Sequence, residues 1–346
     1  MTEIAPVSKE ASTKISNMSF VYACLVVVIH IVHPHSGLSG ILDKMLAGGV
    51  AKIAVPTFFC ISGYLLAPKM VIGNYRLEIR KRIKTLVVPF LIWGLLGVLA
   101  TFPLALLADI RQQLPIGTSF CKGKQLGEMI VGWLGLDLTR MPLSGPLWFL
   151  RNLFLLVIIS PCIYMLIKRF QWYWVTILFC ILCVYNLFEP TLPEYVNGFL
   201  HYGFSLSGIA AFSLGMNLRL HGSLNLPRRF AFISLIIGIV LWSILTFCYR
   251  SPLVLTVMIV FLGYSIWYFM PVRSLPTRLT QSSFPIYLMH TIFLGYLQSF
   301  PSIIPGPGTI IGFFIHWIVP IVLSVFCSVV MHKYCPRVSS LIFGGR

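Results

Sequence analysis

The sequence predicts an all-α membrane protein of about ten transmembrane helices in one bundle, and both composition and patterning indicate that fold class. Hydrophobic residues make up 58% of the 346 residues and charged residues only 10%, whereas soluble domains carry roughly 25% charged residues. The mean hydropathy is +0.89. We expect one integral-membrane domain over residues 1–346, with a polar N-terminal tail (1–14) and a cytoplasmic C-terminal tail (332–346).

The expected spans follow from the hydrophobic runs, since a helix needs roughly 20 apolar residues to cross a bilayer. In order they cover approximately residues 15–33, 46–67, 85–107, 147–167, 171–188, 199–218, 230–248, 252–270, 283–299 and 309–331. The longest connection, about 108–146, contains the segment QLGEMIVGWLGL. That segment predicts a short re-entrant or interfacial helix.

The distribution of charge predicts the orientation. The formal net charge is +17, which in a soluble protein would indicate nucleic-acid binding. Here the cations fall between the hydrophobic runs, and most of them follow the even-numbered spans. Because cytoplasmic loops carry an excess of Lys and Arg, we expect both termini in the cytoplasm and no nucleic-acid partner.

The first span, SFVYACLVVVIHIVHPH, carries an ionisable ring, His30, within its apolar run. Ionisable groups are costly inside a bilayer and usually face a bundle interior or a wet cavity. The ordinary imidazole pKa of about 6.5 suits proton transfer at neutral pH. His30 is therefore either a functional group or a buried ring bonded to a neighbouring helix. A zinc site with His33 and His35 is disfavoured, because Pro34 breaks the helix and no carboxylate or thiol stands close, so no metal is expected.

Three other spans carry polar or aromatic candidates. They are Lys52 in the second span, Trp148 and Arg151 at the outer start of the fourth, and Tyr287 and His290 in the ninth. Residues three apart share a helix face, so each of the two pairs points one way. The cations are either interfacial anchors or ligand-binding groups, and the two rings of the ninth span are either core groups or pocket groups. We expect a shared wet pocket in the outer half of the bundle, lined by His30 and at least one of the cations.

The connection 69–84 holds six cations against one acid, Glu78. This excess is greater than orientation requires, and concentrated positive charge attracts polyphosphorylated ligands. The alternative is ordinary positive-inside bias combined with contacts to anionic lipids.

Five motifs follow one another along nearly the whole chain. They are VVVIH, VPTFFCISGYLL, the basic loop running into KRIKTLVVPFLIW, PLWFLRN and SSFPIYLMH. In this order they resemble the membrane acyltransferase 3 family, integral enzymes that O-acylate, mostly O-acetylate, cell-surface carbohydrates in bacteria. The resemblance implies an acyl-CoA donor (acetyl-CoA above all) and a carbohydrate or lipid-linked glycan acceptor. It also implies a multi-pass location in the bacterial inner membrane.

The resemblance further implies roles for individual residues. The family's catalytic His matches His30, acting as general base or as a transient acyl carrier. A cation usual eleven positions earlier is replaced here by Ser19, so that Lys14 or Lys52 would have to substitute for it. The residues expected to bind the coenzyme are Arg80, Lys81, Arg82 and Lys84. Those expected to stabilise an oxyanion or bind the acceptor are Lys52, Arg151, Trp148, Tyr287 and His290.

Two functions from other classes remain open. In a transporter or exporter, His30 and His290 would relay protons, although the spans lack the paired Asp or Glu that carriers commonly use. A non-catalytic membrane binding protein would keep the same fold. The sequence leaves the oligomeric state open.

Overall fold

A computed structural model describes residues 6–31, 37–71, 75–115, 117–121, 126–142, 144–222, 227–248 and 251–345. All regular structure within these ranges is helical. Ten long helices form the bundle, and we number them in chain order. They are α1 (Lys9–Ile29), α2 (Ala54–Val71), α3 (Val88–Gln112), α4 (Trp148–Phe170), α5 (Trp172–Phe188), α6 (Leu206–His221), α7 (Arg228–Phe247), α8 (Pro252–Phe269), α9 (Ser283–Gln298) and α10 (Ile310–Tyr334).

The helices confirm the predicted fold class. Among the described residues, nine helical stretches have the length and apolar composition to cross a membrane. The remaining long helix, α9, has 16 residues and corresponds to the ninth predicted span. The direction in which the bundle faces stays a prediction from the charge distribution.

Shorter elements join the long helices. The α-helical ones are Gly37–Met45, Tyr75–Arg82, Thr118–Cys121, Leu126–Leu134, Glu194–Gly198, Thr277–Gln281 and Pro336–Ile342. Three 3₁₀ turns cover Val50–Ile53, Gly145–Leu147 and Glu189–Thr191, and two π-helical turns cover Ile83–Val87 and Phe199–Gly203. The helix predicted from QLGEMIVGWLGL is present as Leu126–Leu134, and its Trp133 indole donates to the Leu91 carbonyl of α3 at 3.0 Å.

Several boundaries differ from the predicted ones for identifiable reasons. Helix α1 begins at Lys9, inside the predicted polar tail, and ends at Ile29 rather than near residue 33. Pro34 has no N–H to donate to the His30 carbonyl, so the helical hydrogen bonding ends there. Helix α2 begins at Ala54 rather than 46, because the turn Val50–Ile53 precedes it.

Helices α2 and α6 pack with unusually close backbones. A Cβ on Gly63 would collide with the Phe212 carbonyl, and one on Gly215 would collide with the Cys60 carbonyl. Small residues allow such approach between membrane helices. The Ser62-Gly63 pair within VPTFFCISGYLL thus lies where another helix approaches closely.

The bundle has two chemically different ends. We call the end where α1 stops and α2 and α4 begin the His30 end, and the opposite end, next to Tyr75–Arg82, the basic end. At the basic end the helix Pro336–Ile342 folds against α3, where the Trp93 indole donates to the Ile342 carbonyl at 2.9 Å. The Phe343 ring is fully buried and stacks on Trp93 and His332, with centroids 6.0 and 5.8 Å away.

Candidate active site

The centre of the candidate site is a pair of histidines from α1 and α9. His30 caps the end of α1, its backbone N–H donating to Val27 at 3.1 Å. Its half-buried ring lies against His290, with centroids 5.0 Å apart and planes at 49°. Two residues far apart in the sequence are therefore brought into one site.

The hydrogen bond of His290 defines its tautomer. Its Nδ1 lies 3.0 Å from the Ile286 carbonyl, and because a carbonyl only accepts, Nδ1 carries the proton. The Nε2 lone pair of the neutral ring is then available as an acceptor. His290 is fully buried, and Nε2 has no partner among the described residues. An N–H on the His30 ring is the natural donor for it.

Aromatic rings continue from this pair into the bundle. Tyr287 lies between His290 and Phe149, with ring centroids 6.3 and 5.7 Å away. Phe58 follows, 6.0 Å from Phe149. The Tyr287 hydroxyl donates to the Pro146 carbonyl, so the hydroxyl is engaged while the ring contacts its aromatic neighbours. Its expected oxyanion role stays a prediction.

Lys52 is a cation whose charge acts on His30. It lies exposed on the turn Val50–Ile53, within electrostatic reach of both His30 and His201. Lys14 instead pairs with Glu10 at 3.3 Å, near the start of α1 and about four turns before His30. Lys52 therefore stays the predicted substitute for the cation missing at Ser19.

Arg151 is buried at the His30 end, with 8% of its surface exposed. Its Nη1 donates to the carbonyls of Gly135 and Asp137 at 3.1 and 2.6 Å. Its Nη2 donates to those of Arg140 and Tyr202 at 2.9 and 2.7 Å. The guanidinium thereby ties the connection before α4 to the π turn before α6. A contact with the acceptor stays a prediction.

Asp137 orders the same connection from its surface side. Its carboxylate accepts from the hydroxyl and the backbone N–H of Thr139 at 2.7 and 2.8 Å. These hydrogen bonds, with a smaller attraction to Arg140, hold the pKa of Asp137 below its ordinary value. The carboxylate is therefore charged at neutral pH.

Trp148 lies in a group of three rings, and it is the only one of the three that the sequence predicted as a site residue. His201 and Tyr202, from the π turn Phe199–Gly203, lie 5.9 and 6.1 Å from Trp148. An imidazole in an apolar run was the signal that selected His30, and the same signal is present at His201. Tyr202 carries no such signal, because its position depends on the π turn.

The basic connection is largely helical, and two of its cations are engaged internally. The buried carboxylate of Glu78 lies 2.7 Å from Arg82 and 2.9 Å from Lys69. Arg80, Lys81 and Lys84 point to the surface. The predicted coenzyme contacts stay a prediction, and these three side chains are the accessible ones.

The described residues contain no cluster of three metal-ligating side chains. His33 and His35 lie outside the described residues, so the zinc alternative is not tested here by geometry.

A bundle of this kind, with a histidine pair at one end and a basic segment at the other, defines a multi-pass membrane protein with a polar intramembrane site. Residues 18–333 match the acyltransferase 3 family, described as an acyltransferase domain. The chain belongs to that family, which confirms the resemblance noted in the sequence.

One curated relative is the succinoglycan biosynthesis protein ExoH of Rhizobium meliloti (strain 1021). It is 27% identical over 243 residues, which cover 66% of this chain and 61% of that protein. The chain thus spans less than two thirds of the relative's length. No solved structure matches the chain significantly.

Proposed function

We propose that the protein transfers an acyl group, in the first place acetyl, from acyl-CoA to a hydroxyl of a cell-surface carbohydrate or lipid-linked glycan. The observation that supports this most directly is the pairing of His30 with His290. Membership in the acyltransferase 3 family supports the reaction class. The name of the relative, a succinoglycan biosynthesis protein, supports a carbohydrate acceptor, and we place the enzyme in the bacterial inner membrane.

In the proposed reaction His30 acts as general base. It removes the proton from the acceptor hydroxyl, whose oxygen attacks the thioester carbon and forms a tetrahedral oxyanion. Collapse breaks the carbon–sulfur bond, and the departing coenzyme thiolate takes the proton from the His30 imidazolium. General-base catalysis contributes about 10²–10⁴ in rate, and the ammonium of Lys52, whose charge acts on His30, would stabilise the oxyanion.

His290 serves as a positioning residue in this scheme. Its Nδ1 proton is held by the Ile286 carbonyl, which leaves Nε2 as an acceptor, and in the reacting state the N–H of the adjacent His30 ring would donate to it. That bond orients the His30 ring and leaves its other nitrogen as the base. The arrangement does for His30 what a carboxylate does for the histidine of a catalytic triad.

The donor is proposed to enter from the basic end. Exposed Arg80, Lys81 and Lys84 would hold the phosphates of the coenzyme, since cations bind phosphate strongly. The acyl-pantetheine arm would then extend between the helices. The rings of Phe58, Phe149 and Tyr287 provide an apolar wall along which it reaches His30.

The test is transfer by purified protein in proteoliposomes, with labelled acetyl-CoA and a soluble oligosaccharide. Label should appear on the sugar in stoichiometric amount with released coenzyme A. Sugar or proton transport without acyl transfer would favour the transporter alternative and overturn the proposal.

A matched pair of variants tests the role of His290. His316 is also buried, and its Nδ1 lies 2.7 Å from the i−4 carbonyl of Gly312, but it belongs to α10 and not to the ring pair of α1 and α9. His290→Asn should lower kcat about tenfold or more and shift the acid limb of the pH–rate profile, with the KM for acetyl-CoA unchanged. His316→Asn should cost similar stability and leave the profile in place. Equal profiles for both variants would remove His290 from the mechanism.

A further inference from the structure

Three rings at the His30 end form a surface that the proposed mechanism does not use. We call Trp148, His201 and Tyr202 the ring platform. The His201 ring is exposed, and the other two are half-buried. The ring centroids of His201 and Tyr202 are 4.7 Å apart, and they lie 5.9 and 6.1 Å from the ring centroid of Trp148.

The backbone beneath the ring platform is held by costly buried groups. The Tyr202 carbonyl accepts from Arg151 at 2.7 Å and from Asn152 at 2.6 Å. Asn152 also accepts from the Ser205 backbone N–H at 2.8 Å. The platform residues His201 and Tyr202 belong to a π turn, a geometry that is common at functional sites. A buried charge and a buried amide thus fix the backbone of one exposed and one half-buried ring, which a merely structural turn does not require.

The ring platform is also close to the histidine pair. Ring contacts join the two groups, because Phe59 lies 6.4 Å from Trp148 and 4.6 Å from Phe149, and Phe149 lies 5.7 Å from Tyr287, the neighbour of His290. The charge of Lys52 acts on both His201 and His30. The carboxylate of Glu189 likewise acts on His201. The ring platform is therefore an aromatic corner, with the Tyr202 ring at 75° to Trp148 and at 73° to His201, and a cation and an anion that can bond hydroxyl groups act on it.

We propose that the ring platform is the acceptor subsite and that it stacks one pyranose ring of the carbohydrate. This inference rests on the proposed function, which it makes specific. The axial C–H groups of a pyranose give it an apolar face that packs on aromatic rings, while its edge hydroxyls need polar partners. Glu189 and the His201 imidazole would supply such partners, and the carbohydrate would extend from the ring platform toward His30.

The experiment measures sugar binding separately from acyl transfer. Saturation-transfer difference NMR on purified protein would use cellobiose as the cyclic probe and sorbitol as a polyol without a ring face. The variants are His201→Ala, Tyr202→Ala and the ring-preserving His201→Phe, with Tyr195→Ala as control. Tyr195 is an aromatic residue of the preceding helix and is 67% exposed.

Wild-type protein and Tyr195→Ala should give a cellobiose signal and no sorbitol signal. His201→Ala and Tyr202→Ala should weaken cellobiose binding about tenfold each, and His201→Phe should retain most of it. The anchoring of Tyr202 is through its carbonyl, so the alanine variants keep those hydrogen bonds. A measured unfolding temperature close to that of the control establishes that they fold.

Unchanged cellobiose binding in the His201→Ala, Tyr202→Ala double variant would overturn the acceptor subsite, as would an unchanged acceptor KM in an active enzyme. Failure of the proposed function looks different. In that case cellobiose would bind to the ring platform with the expected variant pattern, while no acyl group would move from acetyl-CoA.

Discussion

Replacing Arg151 with Lys tests whether this residue holds the backbone or meets the ligand. The substitution keeps the positive charge but replaces two donor nitrogens with one. The four carbonyls now lie around Nη1 and Nη2 in pairs, and a single ammonium at one site leaves about two of them without their donor. Hydrogen bonds to charged groups are worth about 1.5–3 kcal/mol each.

The gross loss is therefore about 3–6 kcal/mol. Water can reach part of the connection, since the Asp137 side chain is 34% exposed, and will satisfy some of the released carbonyls. We expect a net loss in the free energy of unfolding of about 3 kcal/mol, near the lower bound, and a fall in the unfolding temperature of about 5 °C. Thermal unfolding of detergent-purified protein, followed by circular dichroism, measures it.

Arg140→Lys is the matched control. Arg140 belongs to the same connection, its side chain is 74% exposed, and its nitrogen lies 3.9 Å from Asp137. An exposed pair of this kind is worth about 0.2–1 kcal/mol, so the control should unfold close to wild type. If Arg151→Lys unfolds at the wild-type temperature while the acceptor KM rises, Arg151 binds ligand and our assignment to the backbone is refuted.

Three other predictions concern the two ends of the bundle. His30→Asn should insert normally and lose about 10²–10⁴ of transfer rate, whereas the exposed His221→Asn should not; an active His30 variant in a glycan acetylation assay contradicts the mechanism. Replacing the three exposed cations Arg80, Lys81 and Lys84 with Gln should weaken coenzyme A binding, measured by calorimetry. Added salt should weaken the binding in the same way. An unchanged Kd in a correctly inserted triple variant would contradict the proposed donor site. Because the folded-state pKa of Asp137 is lowered, its bonds to Thr139 contribute stability above the ordinary carboxyl pKa of about 4, and this contribution is lost as the pH falls through the folded-state value. Pepsin cleavage within residues 135–142 should therefore rise on acidification in wild type and be high at every acidic pH in Asp137→Asn; equal cleavage of both proteins throughout would contradict the lowered pKa.

The sequence predicted the helices well because a span is a local property. Runs of apolar residues, Pro34 and the segment QLGEMIVGWLGL are each sufficient to locate an element within a few residues. The family motifs also selected His30 and Lys52, which the structure brings within electrostatic reach of each other.

Packing determined what the sequence could not show. Nothing in SSFPIYLMH indicates that His290 meets the ring of His30, because that depends on α1 and α9 lying side by side. The sequence also did not reveal that Arg151 donates to carbonyls of two separate connections. The prediction that Arg82 binds the coenzyme did not anticipate that its side chain pairs with Glu78.

The burial of Phe343 has a consequence for biosynthesis. The partner of Ile342 is Trp93, 249 positions earlier in the chain, so this contact forms only after both segments have been synthesised. The core at the basic end therefore closes later than the ten long helices of the described residues are made. Removing residues 336–345 would leave Trp93 and His332 uncovered beside the segment proposed to receive the acyl donor.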